Sequence, residues 1–166
     1  MSKTILIATD YSLESLNILK RVLQEKNALQ DNTQYNILFV SGYEMGDSIR
    51  DLLFTNKNTI FNKIRPQEFC DAYEIIRNKY SHLVEKIVCD VFTGSFQRTF
   101  NNYVKAANIQ EAYYSPYIRS KGKGKFSIIP YIRKCKELEY TEISVEVPQS
   151  LPERGRLAEI FASTGN

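Results

Sequence analysis

The segment TILIATD, residues 4–10, runs straight into a helical apolar stripe and then into a second apolar run, YNILFVSGY, at 35–43. This succession constrains the fold more than any other feature of the chain. A continuous apolar run rich in isoleucine suits a strand buried on both faces, and such strands belong to parallel sheets covered on both sides. Between the two runs Leu13, Leu16, Leu19, Val22 and Leu23 recur at helical spacing, and Ser12 is placed to cap the helix. Two parallel strands need a crossover of about a dozen residues or more, which this helix supplies.

The same alternation continues. RPQEFCDAYEIIRNKYSHL (65–83) reads as a helix with Pro66 near its first turn and Phe69, Tyr73, Ile76 and Tyr80 on one side, and GDSIRDLLF (46–54) as a shorter one. VEKIVCDVF (84–92) reads as a strand, SFQRTFNNYVKAANI (95–109) as a helix carrying Phe96, Phe100, Tyr103 and Val104, and EAYYS (111–115) as a short strand. A helix near 130–138 and the strand TEISVEV (141–147) close the series. Five strands alternating with helices predict an α/β three-layer sandwich with a five-stranded parallel sheet. One domain over 1–148 is expected, followed by a tail, 149–166, whose Leu157, Ile160 and Phe161 form the stripe of a short amphipathic helix.

The 166 residues carry 22 Lys and Arg against 19 Asp and Glu, a net charge of +3. That is too small to imply nucleic-acid binding, so any basic function is local. Cys70, Cys89 and Cys135 are scattered, without metal-ligand spacing, and read as reduced thiols. The amino terminus lacks a basic-then-apolar leader pattern and no apolar run is long enough to span a bilayer, so a cytoplasmic, non-membrane protein is expected.

In open parallel sheets ligands bind beyond the carboxyl ends of the strands, where strand order reverses. Asp10 ends the first strand; it either contacts a ligand or caps the following helix beside Ser12. SGYEMGDS (41–48) departs from a pyrophosphatase loop and reads as a glycine-served turn. His82, the only histidine, has no evident nucleophile and acid about it, and Cys89 sits inside an apolar run. Asp10, Asp47 and Asp90 are the acids near strand ends, and Asp90 lies within its strand. No catalytic constellation and no metal site are expected.

With these segments in order, the chain resembles the universal stress protein family, an adenine nucleotide alpha hydrolase-like fold. KTILIATDYSLESLNILKRVL resembles that family's opening strand, acidic residue, serine and helix. FTGSFQRTFNNYVKAANIQEAYYSP resembles the stretch in which a glycine precedes a helix and a short strand follows, and TEISVEV resembles the closing strand. The resemblance covers roughly residues 2–147 and implies a five-stranded parallel sheet, dimers paired through the last strand, and two branches, one binding ATP and one not. It places Asp10 at the family's nucleotide-contacting aspartate and a backbone contact near Val40 or Ser41. Dimer pairing would fall on Ile143, Val145 and Val147, which alternate with polar neighbours.

The family's triphosphate lies on a Gly-x-x-Gly, nine residues, Gly-Ser pattern. Without gaps, that pattern falls here on Pro116, Arg119, Ile129 and Pro130, and all four positions depart. Proline has no N–H to donate. Losing two charge-assisted hydrogen bonds weakens binding roughly a hundredfold to ten-thousandfold. Against this stands RSKGKGK (119–125), with four cations and no anion, a loop able to attract phosphate. Tyr113, Tyr114 and Tyr117 either fill the adenine space or offer a stacking surface. The candidate ligand contacts are Asp10, Val40, Ser41, Ser115, Arg119, Lys121, Gly122, Lys123, Gly124 and Lys125. The expected function is a non-catalytic regulatory or binding domain in stress response, with a degenerate ATP loop and no cofactor. The alternative is binding of ATP or another anionic small molecule, with weak ATPase activity.

Overall fold

The computed structural model describes residues 1–49, 53 and 55–145. Strands β1 (Ser2–Ala8), β2 (Gln34–Tyr43), β3 (Val84–Phe92), β4 (Ile109–Tyr114) and β6 (Glu139–Glu142) lie parallel in the order β3-β2-β1-β4-β6. Between β4 and β6 in the chain, the two-residue strand β5 (Lys125–Phe126) pairs antiparallel with the end of β2. The helices are α1 (Leu16–Ala28, entered through a 3-10 turn at Leu13–Ser15), α2 (Lys57–Ile64), α3 (Gln67–Lys79), α4 (Gln97–Ala106) and α5 (Ile129–Lys134). The expected α/β sandwich with five parallel strands is therefore present, with β5 added.

The central strands are buried on both faces because alternate residues serve two cores. Ile5, Ile7, Ile37 and Phe39 join one cluster with Leu16, Leu19, Val22 and Leu23 of α1 and Phe69 of α3. Leu6, Ala8, Leu38 and Val40 join the other with Phe100 and Val104 of α4 and Ile132 of α5. Each of the larger of these side chains, from valine to phenylalanine, contributes about 1.5–3 kcal/mol by leaving water. Helix ends obey the same chemistry: α3 begins after Pro66 with Glu68 in its first turn and ends with Arg77 and Lys79 in its last, so its charges oppose the helix dipole.

Three details differ from the sequence expectation, and a further one lies partly outside the described residues. Helix α2 was not foreseen; its apolar content is confined to Ile60, Phe61 and Ile64, too few for a stripe to stand out. The helix expected over 46–54 falls partly on residues 50–52 and 54, outside the described residues. The last strand is Glu139–Glu142 rather than 141–147, and all four of its residues are exposed. Ile143 and Val145 do not line an open edge: both are buried in the cluster that holds Tyr113 and Ile118, and the Ile143 N–H donates to the Tyr114 carbonyl at 2.8 Å. Burial of two apolar side chains wins over continuing a strand that alternation alone would favour. Val147 and the tail, 149–166, lie outside the described residues.

Candidate functional site at the carboxyl rim of the sheet

Strand order reverses between β1 and β4, so the rim beside their carboxyl ends is where a ligand crevice forms in such sheets. On the β1 side the chain turns sharply at Thr9–Ser15. Thr9 N–H donates to the Val40 carbonyl at 3.0 Å, and the Thr9 hydroxyl accepts from the Tyr11 N–H at 2.9 Å. Tyr11 takes a left-handed conformation, φ 59, rare for a side chain of this size. Its buried ring packs edge-on against Phe61 and Phe69, and its hydroxyl reaches the carbonyls of Asp90 (2.8 Å) and Phe39 (3.2 Å). That bend leaves Asp10 at the rim. One oxygen of Asp10 accepts from the N–H and hydroxyl of Ser12; its other oxygen has no partner among the described residues. Asp10 thus orders the start of the helical segment through Ser12. Ser12, by contrast, makes no side-chain cap of its own.

On the β4 side, residues 115–128 form a strap that crosses to β2. Gly42 and Tyr43 pair with Phe126 and Lys125, and the Glu44 N–H donates to the Gly124 carbonyl at 2.6 Å. Gly122 (φ 120) and Gly124 (φ 78) occupy backbone conformations that favour glycine, which lets the strap turn down onto β2. Gly42 is fixed by a different need: a Cβ there would stand 2.4 Å from the Phe126 carbonyl oxygen. Beneath the strap, between Ala8, Thr9, Gly42, Ser115 and Ile118, only about 10 Å³ is open. That is about one water, far below the room a phosphate chain needs.

The start of α5 gives the same answer from its donors. The Ile129 N–H donates to the Ser127 hydroxyl at 3.3 Å, Pro130 has none, and the N–H groups of Tyr131 and Ile132 go to the Ile128 carbonyl at 3.0 and 3.1 Å. Within residues 129–132, therefore, every backbone N–H already has a partner.

Outside the strap lies a cleft of about 250 Å³ lined by Asp10, Ser12, Glu14, Tyr117, Arg119, Lys121 and Lys125. The three cations form no ion pair among the described residues, so the cleft combines free positive charge with the open Asp10 oxygen. Tyr117 is exposed beside them, whereas Tyr113 and Tyr114 are buried and bound, Tyr113 donating to Glu111 and Tyr114 accepting from Arg133 at 2.8 Å each. The adenine-side tyrosines are thus mostly packing, with Tyr117 alone placed as a surface. Of the remaining candidates, Lys123 does not line the cleft, Val40 spends its carbonyl on Thr9, and Ser41 and Ser115 are buried. The Ser41 hydroxyl has no partner among the described residues.

Asp90 is held by Lys57 and by the Tyr103 hydroxyl at 2.9 Å, and burial together with the Asp90 charge pushes the Tyr103 phenol far up. His82 is exposed and contacts Asn27 at 3.0 Å. Cys70, Cys89 and Cys135 are unbridged. Among the described residues no group of three potential ligands is placed to hold a metal, and no helix is long and apolar enough to cross a membrane.

The sequence reading missed β5 and the pairing of Gly42 with Phe126. A two-residue strand carries no periodicity; the only signal was the glycine at each contact, Gly42 and Gly124.

No family model matches the sequence, and no curated protein matches it. Solved structures do. A universal stress protein family member from Burkholderia pseudomallei superposes with TM-score 0.53 at 10% identity, covering 85% of this chain and 95% of that one. The universal stress protein UspA from Lactobacillus plantarum gives 0.52 at 13% identity, over 85% of this chain and 97% of that one. The chain has the universal stress protein fold. A third structure, a universal stress protein family protein from Arabidopsis thaliana with AMP bound, gives 0.50 at 13% identity, over 92% of this chain and 98% of that one. Identities this low carry the fold and leave the site to be argued from its own residues.

Proposed function

We propose that the chain is a non-catalytic binding or regulatory domain of the universal stress protein type, cytoplasmic and acting in stress response. It takes a small anionic molecule on the cationic side of its strap and no triphosphate beneath it. The observation that carries this reading is the seating of the strap on β2, which leaves about 10 Å³ where a phosphate chain would have to lie. Pro116 and Pro130 in place of cradle residues support it, since neither donates an N–H. The cleft of Asp10, Arg119, Lys121 and Lys125 supplies the alternative anchoring, with Lys123, Gly122 and Gly124 giving the strap its charge and turn.

A second reading, that the domain binds ATP or another adenine nucleotide with weak ATPase activity, is favoured by the AMP-bound Arabidopsis protein and by Asp10. Calorimetry separates the two. Titrations with AMP, pyrophosphate and ATP, with and without magnesium, are expected to show the smaller anions bound at least as well as ATP, and bound more weakly by Lys121→Gln and Lys125→Gln. Low-micromolar, magnesium-dependent ATP uptake abolished by Asp10→Ala, or phosphate release above the blank, favours the second reading instead. Under either reading the domain forms a homodimer through the exposed edge of β6.

A further inference from the structure

Residues Lys125 and Phe126 are neighbours in a strand, so their side chains point to opposite sides of the strap. Lys125 lines the cationic cleft; Phe126 lines a separate cavity of about 600 Å³ between the start of α4, the strap and α5. That volume is within the range of small-molecule sites. Its aromatic wall is fixed before any ligand arrives. Phe126 and Tyr131 meet edge-on at 6.1 Å, the Tyr131 hydroxyl donates to the Ser95 carbonyl at 3.1 Å, and the Gln97 amide donates to the Tyr131 carbonyl at 2.9 Å.

Two features of this cavity offer contacts to a ligand. Phe96, at its mouth, is 74% exposed, and it occupies the cap position of α4, where a small polar side chain would normally stand. Lys134 and Glu44, which also line it, make no ion pair or side-chain hydrogen bond among the described residues. One kind of ligand engages both. A flat ring covers Phe96 and stacks against the Phe126 and Tyr131 wall. An acidic group on that ring meets Lys134, and an N–H or O–H on the ring donates to Glu44.

We propose that this cavity is a second binding site, for an aromatic carboxylate whose ring carries a hydrogen-bond donor. It is separated from the cationic cleft by the strap and does not depend on the ligand proposed for that cleft.

The chain has no tryptophan, so the emission of an indole probe reports the probe alone. Fluorescence anisotropy of indole-3-propionate and of its uncharged amide, titrated with the intact protein, tests the assignment. The expected result is saturable binding of the carboxylate, weakened at least about fivefold by Lys134→Gln, with the amide insensitive to that change. Phe96→Ala, at an exposed position, weakens both probes, and Arg119→Gln in the other cleft weakens neither. Absence of saturation at millimolar probe, equal effects of Lys134→Gln on both probes, no effect of Phe96→Ala, or loss of binding on Arg119→Gln would each overturn the proposal.

Discussion

Gly42 and Phe126 touch backbone to backbone: a Cβ on Gly42 would stand 2.4 Å from the Phe126 carbonyl oxygen and 2.6 Å from its ring. This contact seats the strap on the end of β2 and separates the cationic cleft from the aromatic cavity. Alanine at Gly42 must therefore push the strap away or strain β2. Overpacking of this kind costs about 1–3 kcal/mol. Gly42→Ala is expected to lower the urea midpoint by a corresponding amount and to speed tryptic cleavage at Arg119–Lys125. If both readouts match the wild type, the strap is not seated where the pairing puts it.

The fold was legible because its signal is long-range in the chain and simple in form. The centres of the two runs, ILIA at 5–8 and ILFV at 37–40, are apolar at every position and so suit two-sided burial, and Ile5 with Leu6 shows it directly by serving opposite cores. The site was legible only in part. Pro116 and Pro130 told which donors were missing, but no local pattern told that Phe126 would come down on Gly42, because that contact joins residues 84 positions apart through two hydrogen-bonded pairs. Tyr11 carried no warning of its left-handed backbone; the carbonyls that hold its hydroxyl come from β2 and β3. Ile143 and Val145 show the opposite error, where a clear local alternation yielded to burial against another part of the chain.

Tyr11 is held against backbone strain by its ring and its hydroxyl. The left-handed conformation costs about 1–3 kcal/mol, and only surroundings that fix it from several sides sustain it. Tyr11→Phe keeps the ring packing and removes the donor to the Asp90 carbonyl, so a loss of about 0.5–1.5 kcal/mol is expected in urea denaturation. Tyr11→Ala removes the ring as well and should cost about 3–5 kcal/mol. Equal stabilities for the two variants would show that the ring adds nothing to the hydroxyl.

The β6 edge proposed for dimerisation is short and carries Glu139 and Glu142, with Tyr140 46% exposed between them. Glutamates at an edge limit indiscriminate pairing, so an exposed aromatic must contribute much of the attraction. Tyr140→Asp adds a third negative charge to this strand. Sedimentation velocity over a concentration series should show a dimer for the wild type and a monomer for the variant. A dimer that persists unchanged in Tyr140→Asp takes β6 out of the interface.

The Lys26 ammonium lies 2.6 Å from Glu111, on the inner side of α1, and makes stability depend on pH in two directions. Burial alone would push the Glu111 carboxyl up; the hydrogen bonds from Lys26 and Tyr113 and the charges of Lys26 and Lys3 outweigh it and hold the carboxyl below its ordinary 4.5. A depressed acid contributes stability that is fully present above its unfolded value and is lost as pH falls through the folded one. Burial likewise works against the Lys26 ammonium, but its bond to Glu111 wins and raises it above 10.5. Burial, then the Glu111 bond, pushes Tyr113 up to about 12. Both raised groups contribute stability below their unfolded values that disappears as pH rises through the folded ones. Glu111→Gln removes the carboxylate to which the lysine and the phenol owe their partnership. The stability gap between wild type and variant is therefore expected to be widest near neutral pH. It should narrow below 4.5 on the acid side and above 10.5 on the alkaline side. Urea midpoints measured across that range check it, and a gap that stays constant through the acid limb would mean that Glu111 keeps the same proton affinity folded and unfolded.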